Sequence, residues 1–265
     1  MTSVAYAIAH PASRGVLGRS YSPAAVAYFG RAPSLPAAWK DVYAAFIDGL
    51  VVDGVWPQLD ALHVLAGPEQ TTANVNLVQA AYGVTAVNAP AWTRKSGYTG
   101  GTTKYLSTGF TPSTAGGKWS LNSACLFGWS PVDVNADNNL IRTNGLTAAY
   151  AGINLDRTSG QLWSDLNTTT SPNVPITDAS GFWLSNRTDA SLVRLLKNGG
   201  LLASSAGASV ALPANPVVVL GWQSLGRYTA IQASITGWGA GLTPAQEAAL
   251  YSRCSTLLTA IAGLP

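Results

Sequence analysis

Apolar and polar positions alternate most legibly between Gly181 and Ile261. Phe182-Trp183-Leu184 opens a strand that runs into Ser185-Asn186-Arg187, and after the polar break at Thr188-Asp189-Ala190 a second strand follows over Ser191 to Lys197. Asn198-Gly199-Gly200 accepts positive φ at little cost, as a tight hairpin demands, so Leu201-Leu202-Ala203 reads as the return strand. Val217-Val218-Val219-Leu220 is a continuous apolar run of the kind found in strands covered on both faces. From Tyr228 to Thr236 the period is two, with Thr229, Ile231, Ala233 and Ile235 on one face, which predicts a single strand. A glycine-rich turn, Gly237 to Gly241, then leads into a helix expected over 243–262. Thr243 and Gln246 have the capping-box spacing, Pro244 takes the first helical position, and Leu250, Cys254, Leu257, Leu258 and Ile261 form an apolar stripe.

The earlier chain follows the same logic. Trp39, Tyr43, Phe46, Ile47 and Leu50 recur at helical spacing, so residues 37–54 read as a helix and its exit. Trp56 to Ala66 reads as a turn into a strand, and Val84–Val87, Lys104–Thr108, Ser123–Trp129, Leu146–Leu155 and Leu162-Trp163 as further strands. Short strands separated by Gly, Asn, Ser and Pro turns predict a mainly β fold: a two-sheet antiparallel β-sandwich over residues 55–265, flanked by an N-terminal helix and a C-terminal closing helix. Residues 1–36 are rich in Ala, Ser, Gly and Pro, with breakers at Tyr21-Ser22-Pro23 and Pro33 to Pro36. They read as an extended N-terminal arm whose aromatics, Tyr6, Tyr21, Tyr28 and Phe29, dock on a neighbouring subunit; the alternative is a flexible tail.

The order of these elements, with Leu192-Val193-Arg194-Leu195-Leu196-Lys197-Asn198-Gly199 at the hairpin, Ala233-Ser234-Ile235-Thr236-Gly237-Trp238-Gly239 in the last strand and Gly241-Leu242-Thr243-Pro244-Ala245-Gln246 opening the helix, resembles the C-terminal half of concanavalin-A-like, laminin-G-like jelly-roll domains. It is similar, more narrowly, to domains of that type in structural proteins of tailed phages and prophages. The resemblance implies a bacteriophage virion component of tail, fibre or decoration, using a lectin-like sandwich for assembly and for binding a host-surface glycan. A glycan-cleaving enzyme on the same fold is the alternative. The partners implied are other virion proteins, copies of the chain itself and a cell-surface glycan.

Composition narrows the chemistry. Only 10% of residues are charged and the net charge is +3, with no basic cluster beyond Arg94-Lys95, which excludes binding driven by phosphate neutralisation. The longest apolar run, near Val210, is broken by Pro213 and Pro216, so no membrane insertion is expected. Met1 to His10 lacks a basic leader, so the expectation is a protein made in the host cytoplasm, without a signal peptide, and carried in the virion. Cys125 and Cys254 read as two buried thiols in preference to a disulfide.

No catalytic motif stands out, and the expectation is a protein that is not an enzyme. His63 lies in an apolar run and reads as structural; Asp60 and Asp133 are left as carboxylates that folding would have to bring together for acid–base work. No cofactor is expected. Calcium is the one ion considered, at Asp133, Asn135 and Asp137, where oxygens alternate as in the opening of a calcium loop, but Asn144 stands where a bidentate Glu is needed, and a side-chain-capped turn is the preferred reading. Nine tryptophans are many, and Trp92, Trp119, Trp129 and Trp163 lie beside turns, where they are candidates to stack on sugar rings unless they fill the core.

Overall fold

The computed structural model describes residues 20–145, 149–169 and 173–265. Its helices are α1 (Pro23–Arg31), α2 (Ala37–Val52), the single turn α3 (Gln70–Ala73) and α4 (Pro244–Ala262). The strands in the first half are β1 (Leu59–Val64), β2 (Thr85–Val87), β3 (Ala91–Thr93), β4 (Gly97–Thr99), β5 (Tyr105–Ser107) and β6 (Ala124–Ser130). Next come β7 (Asp137–Thr143), β8 (Tyr150–Asp156), β9 (Gln161–Thr168), β10 (Asn173–Pro175), β11 (Gly181–Arg187), β12 (Val193–Lys197) and β13 (Gly200–Ser205). The last are β14 (Val217–Val219), β15 (Gly221–Trp222), β16 (Arg227–Tyr228), β17 (Gln232–Ala233) and β18 (Ile235–Gly239).

Two antiparallel sheets face each other. One has six strands in the order β1-β18-β6-β11-β12-β13, the other seven in the order β10-β9-β8-β7-β14-β5-β2. Side-chain parity sorts the six-stranded sheet's residues into two cores. Leu126, Trp183 and Trp238 point between the sheets, to meet Leu140, Ile141, Ile153, Leu155, Leu166 and Val219 of the seven-stranded sheet. Cys125, Phe127, Phe182, Leu184 and Ile235 point the other way, into a layer made by Tyr28, Trp39, Tyr43 and Ile47 of α1 and α2 and Leu250, Cys254, Leu257 and Ile261 of α4. The β-sandwich thus carries a helical layer on one of its two outer faces.

Local chemistry explains the elements. Asn198 and Gly199 both take positive φ (49° and 78°) in the β12–β13 turn, the backbone a two-residue hairpin needs. At α4 the Thr243 hydroxyl accepts from Gln246 N while Gln246 returns a bond to Thr243 N, and Pro244 follows the cap. Glu247, buried in the first turn, binds Arg194 of β12 through both carboxylate oxygens (3.0 and 2.9 Å) and accepts from Asn186 at 2.6 Å, which locks the helix onto the sheet. Cys125 and Cys254 are free buried thiols.

Three expectations need correction. The arm assigned to residues 1–36 is not extended in its second part: Ser22 caps α1 by accepting from Ala25 N, with Pro23 at the first helical position. The residues read as a breaker are a helix-start signature. Tyr28 is fully buried against Tyr43 in a stacked pair (5.5 Å, 7°), Phe29 meets Tyr21 edge-on, and Tyr21 donates to Asp41, so these aromatics anchor α1 to its own chain. Tyr6 lies outside the described residues. The single strand expected over 228–236 is instead divided among β16, β17 and β18, because Thr229 uses its hydroxyl for Asn138 and for Ile231 N where a ladder bond would have continued. Asp137 to Asn139 is not part of a loop but the start of β7, a central strand of the seven-stranded sheet.

Candidate functional site

Among the described residues no helix covers the outer face of the seven-stranded sheet, and β7, β8 and β9 set its chemistry rung by rung. Their register aligns Arg142 with Gly152 and Asp165, then Asn139 with Asn154 and Trp163, then Asp137 with Asp156 and Gln161. Period two should put Arg142 and Asn139 on opposite faces. A bulge between Asn139 and Ile141 removes that conflict: Leu140 and Ile141 both enter the core, so Asn139 and Arg142 emerge on the same side.

The β15–β16 hairpin closes over one flank. It is tied to β7 by Leu220 N donating to Leu140 O, Ser224 N to Asn144 Oδ1 and the Thr229 hydroxyl to Asn138 Oδ1 (3.0, 3.1 and 2.7 Å). The tie places Trp222 on the Arg142 guanidinium, 3.2 Å from Cζ to ring centroid, and Arg227 beside Asp137 at 3.3 Å. Gly152 is the floor of this arrangement: a Cβ there would come within 2.6 Å of the Arg142 side chain, so only glycine lets the arginine lie flat across the sheet toward Asp165. Together Arg142, Tyr150, Asn154, Trp163, Asp165 and Trp222 line a cleft of about 410 Å³, with Asp156, Thr169 and Arg227 at its margins.

The electrostatics are unusual for a surface. Arg142 is 3% exposed. Burial pulls its pKa down to about 10, with Asp165 opposing, so it remains charged at neutral pH. Burial likewise raises the Asp137 carboxyl, an effect that Arg227 opposes and Asp156 reinforces. Asp156 is held below the ordinary range: burial pushes it up, but hydrogen bonds from Thr158 and Ser159 outweigh that. Buried polar atoms without partners gather here. Among the described residues Asp137 Oδ1, Asn139 Nδ2, Arg142 Nε, Asn154 Oδ1 and Trp222 Nε1 are such atoms, as are both amide atoms of Gln223 beside Trp222. Elsewhere such atoms occur in the helical layer and at the His63–Trp238 pair.

Of the tryptophans expected at a sugar site, Trp163 alone lines the cleft. Trp119 is buried between the sheets, its Nε1 donating to Asn167. Trp129 faces the helical layer and stacks on Tyr251 of α4 (5.9 Å, 9°), and Trp92 donates to Leu65 O from the small β3–β4–β17 sheet. Trp222, Arg142, Asn154 and Tyr150 were not singled out from the sequence. Parity along β9, where Leu162 and Leu166 point inward and Trp163 and Asp165 outward, was the available signal for that strand. The oxygens considered for calcium do not converge. Asp133 pairs with Arg157 at 3.0 Å and accepts from Ala179 N, Asp137 pairs with Arg227, and Asn135 is exposed on the intervening turn. Among the described residues no three His, Cys, Asp or Glu side chains are grouped as metal ligands. Asp60 and Asp133 stand at opposite ends of β6, the former fixed by the backbone N–H groups of Lys118 and Trp119.

A second depression, about 270 Å³, lies between α2 and α4 along Val42, Ala45, Phe46 and Leu257. Its lining is mostly aliphatic with the Asp53–Arg253 ion pair near its rim (2.7 Å), and it lacks the convergent polar groups of the cleft.

No protein-family model and no curated protein sequence matches the chain. The structure is similar to Trypanosoma rangeli sialidase in complex with 2-keto-3-deoxy-D-glycero-D-galacto-2,3-difluoro-nononic acid, at 9% identity and a TM-score of 0.55, over 82% of this chain and 40% of the sialidase. It is also similar to a mutant of HCR/D at 9% identity and a TM-score of 0.53, over 74% of this chain and 52% of that one. The likeness shows the fold. The chain spans about half or less of the length of these structures.

Proposed function

We propose that the protein is a non-catalytic glycan-binding module whose site is the cleft on the outer face of the seven-stranded sheet. The observation that carries this reading is the mixture of unpartnered donors (Asn139 Nδ2, Arg142 Nε, Trp222 Nε1) and acceptors (Asn154 Oδ1, Asp137 Oδ1) around a cleft that also presents Trp163. A sugar hydroxyl both donates and accepts, so a polyol satisfies such a set, while the ring's C–H face packs on an indole.

The geometry favours holding over cleaving. Asp137 and Asp156 face each other across the β7–β8 ladder, and a pair of carboxylates is what glycoside cleavage needs. Asp156, however, is used by its turn, accepting from Thr158 N, Ser159 N and both hydroxyls, and Asp137 is ion-paired to Arg227. Both carboxylates are thus engaged within the chain, which supports binding over cleavage.

The setting we propose, a tail, fibre or decoration protein of a bacteriophage virion, is supported by the sequence resemblance alone, and co-sedimentation with phage particles tests it. The binding reading is tested by screening the protein on a glycan array and titrating the strongest ligand into Trp163→Ala and Trp222→Ala. Trp163→Ala is expected to weaken binding by roughly tenfold or more, on the order of 1–3 kcal/mol for a stacking aromatic, and Trp222→Ala to weaken it by releasing Arg142 from its stacked position. Unchanged affinity in both would place the ligand elsewhere.

A further inference from the structure

Arg142 is the least satisfied side chain in the cleft. A guanidinium carries five N–H donors, and burial without partners is costly for a charge. Among the described residues it makes one hydrogen bond, from Nη1 to Asn139 Oδ1 at 3.1 Å. Asp165 stands 4.0 Å from Nη2, outside hydrogen-bond distance, and Nε is buried without a partner. The side chain is nonetheless fixed: Gly152 leaves the space beneath it, Trp222 covers one face at 3.2 Å, and Asn139 holds one end. A planar fork has been immobilised, kept from water and left without the planar acceptor it matches.

We infer that the glycan recognised here carries a carboxylate, as uronic and nonulosonic acid residues do, and that this carboxylate binds Arg142 through paired N–H···O bonds. This rests on the glycan-binding reading and names its ligand class. Two parallel charge-assisted bonds are the interaction that the fork geometry serves, and a carboxylate entering the cleft replaces the distant Asp165 as the guanidinium's near partner. Trp222 stays stacked on the guanidinium, so the aromatic available to the sugar ring is Trp163, one rung along on β9. Arg227 stands at the rim, 47% exposed at its side chain and paired with Asp137.

The experiment is a titration of the full chain with glycans ending in D-glucuronic acid or N-acetylneuraminic acid, each beside its counterpart with the carboxylate reduced to the alcohol. The acids are expected to bind roughly tenfold or more tightly than the alcohols. Arg142→Met is expected to erase that preference, and Arg142→Lys to restore only part of it, because an ammonium keeps the charge but not the fork. Trp163→Ala is expected to weaken acid and alcohol alike. Circular dichroism of each variant confirms the fold, and the wild-type acid-to-alcohol ratio tests the proposal without any variant. Equal binding of acids and alcohols, still dependent on Trp163, overturns the carboxylate while leaving the glycan reading intact. Binding of no glycan on the array overturns both.

Discussion

The sandwich has two outer faces built by the same alternation, and they have opposite fates. On the six-stranded sheet the outward positions are Cys125, Phe127, Phe182, Leu184 and Ile235, and three helices cover them. On the seven-stranded sheet they are Asn139, Arg142, Asn154, Trp163 and Asp165, and no helix among the described residues does. Both sets are largely withdrawn from water. The first is satisfied by packing within the chain, because apolar surface asks only for more apolar surface. The second is withdrawn with Asn139 Nδ2, Arg142 Nε and Asn154 Oδ1 unpartnered, a cost that a bound polar ligand would relieve. Stability is therefore concentrated on one face, and the recognition we propose on the other.

The largest effect should come from breaking the covered face. Phe127 is fully buried, meeting Phe182 at 5.9 Å under the helical layer, and Phe127→Ala leaves a cavity that α2 and α4 cannot both close. The expected loss is about 3–5 kcal/mol by urea denaturation, with glycan affinity unchanged under conditions where the variant remains folded. Glycan affinity that falls in step with this stability would mean that the two faces are coupled and not separate.

Between the faces lies His63, and acid should expose its cost. It is buried on β1 against Trp238, with Nε2 bonded to Tyr82 O (3.0 Å) and Nδ1 unpartnered. Burial lowers its pKa from 6.5 to about 4, the Tyr82 contact opposing. The unfolded chain therefore binds a proton that the folded one refuses, so stability is complete above pH 6.5 and falls as pH drops toward 4, by up to about 3 kcal/mol. Urea midpoints measured between pH 7 and 4.5, where most carboxylates stay ionised, should decline in the wild type and much less in His63→Phe. Parallel slopes for the two proteins would remove His63 as the cause.

The same contrast explains what could be read from the chain. The covered face was legible because packing leaves a pattern: the stripes of α2 and α4, the Asn198-Gly199 turn and the Thr243–Gln246 cap all specify their own conformation locally. The recognition face was not. Asp137-Asn138-Asn139 reads as a loop because polar residues withdrawn into a strand look, in sequence, like polar residues that face water. The bulge at Leu140 then shifts the parity by which Arg142 could have been assigned a side. Trp222 sits in a hairpin whose position depends on ties to β7 from side chains more than 75 residues away in sequence, such as Asn138 to Thr229. Of the tryptophans that the sequence offered for sugar stacking, Trp119 and Trp129 are consumed by the two cores. The helix α1 was missed because its apolar side acquires meaning only against Tyr43.

The smallest effect on stability, and the sharpest test of the contrast, belongs to removing the charges from the uncovered face. Arg142→Met alone would remove the cation 4.0 Å from Asp165 and leave the carboxylate's charge in place, so the informative variant joins Arg142→Met to Asp165→Asn. Methionine matches the length of the arginine stem and can lie between Gly152 and Trp222 without asking for hydrogen bonds. Replacing a poorly compensated buried ion pair by groups of similar volume is often neutral or stabilising, so the expected change in unfolding free energy lies between zero and about 1 kcal/mol in favour of the variant. Affinity for the glycan should be lost in the same protein. If the double variant were instead destabilised by more than about 2 kcal/mol, the pair would be serving the fold in the way Glu247 and Arg194 do. The cleft would then be a structural seam, with no division of labour between the faces. Stability retained and binding lost is the combination that only a recognition face produces.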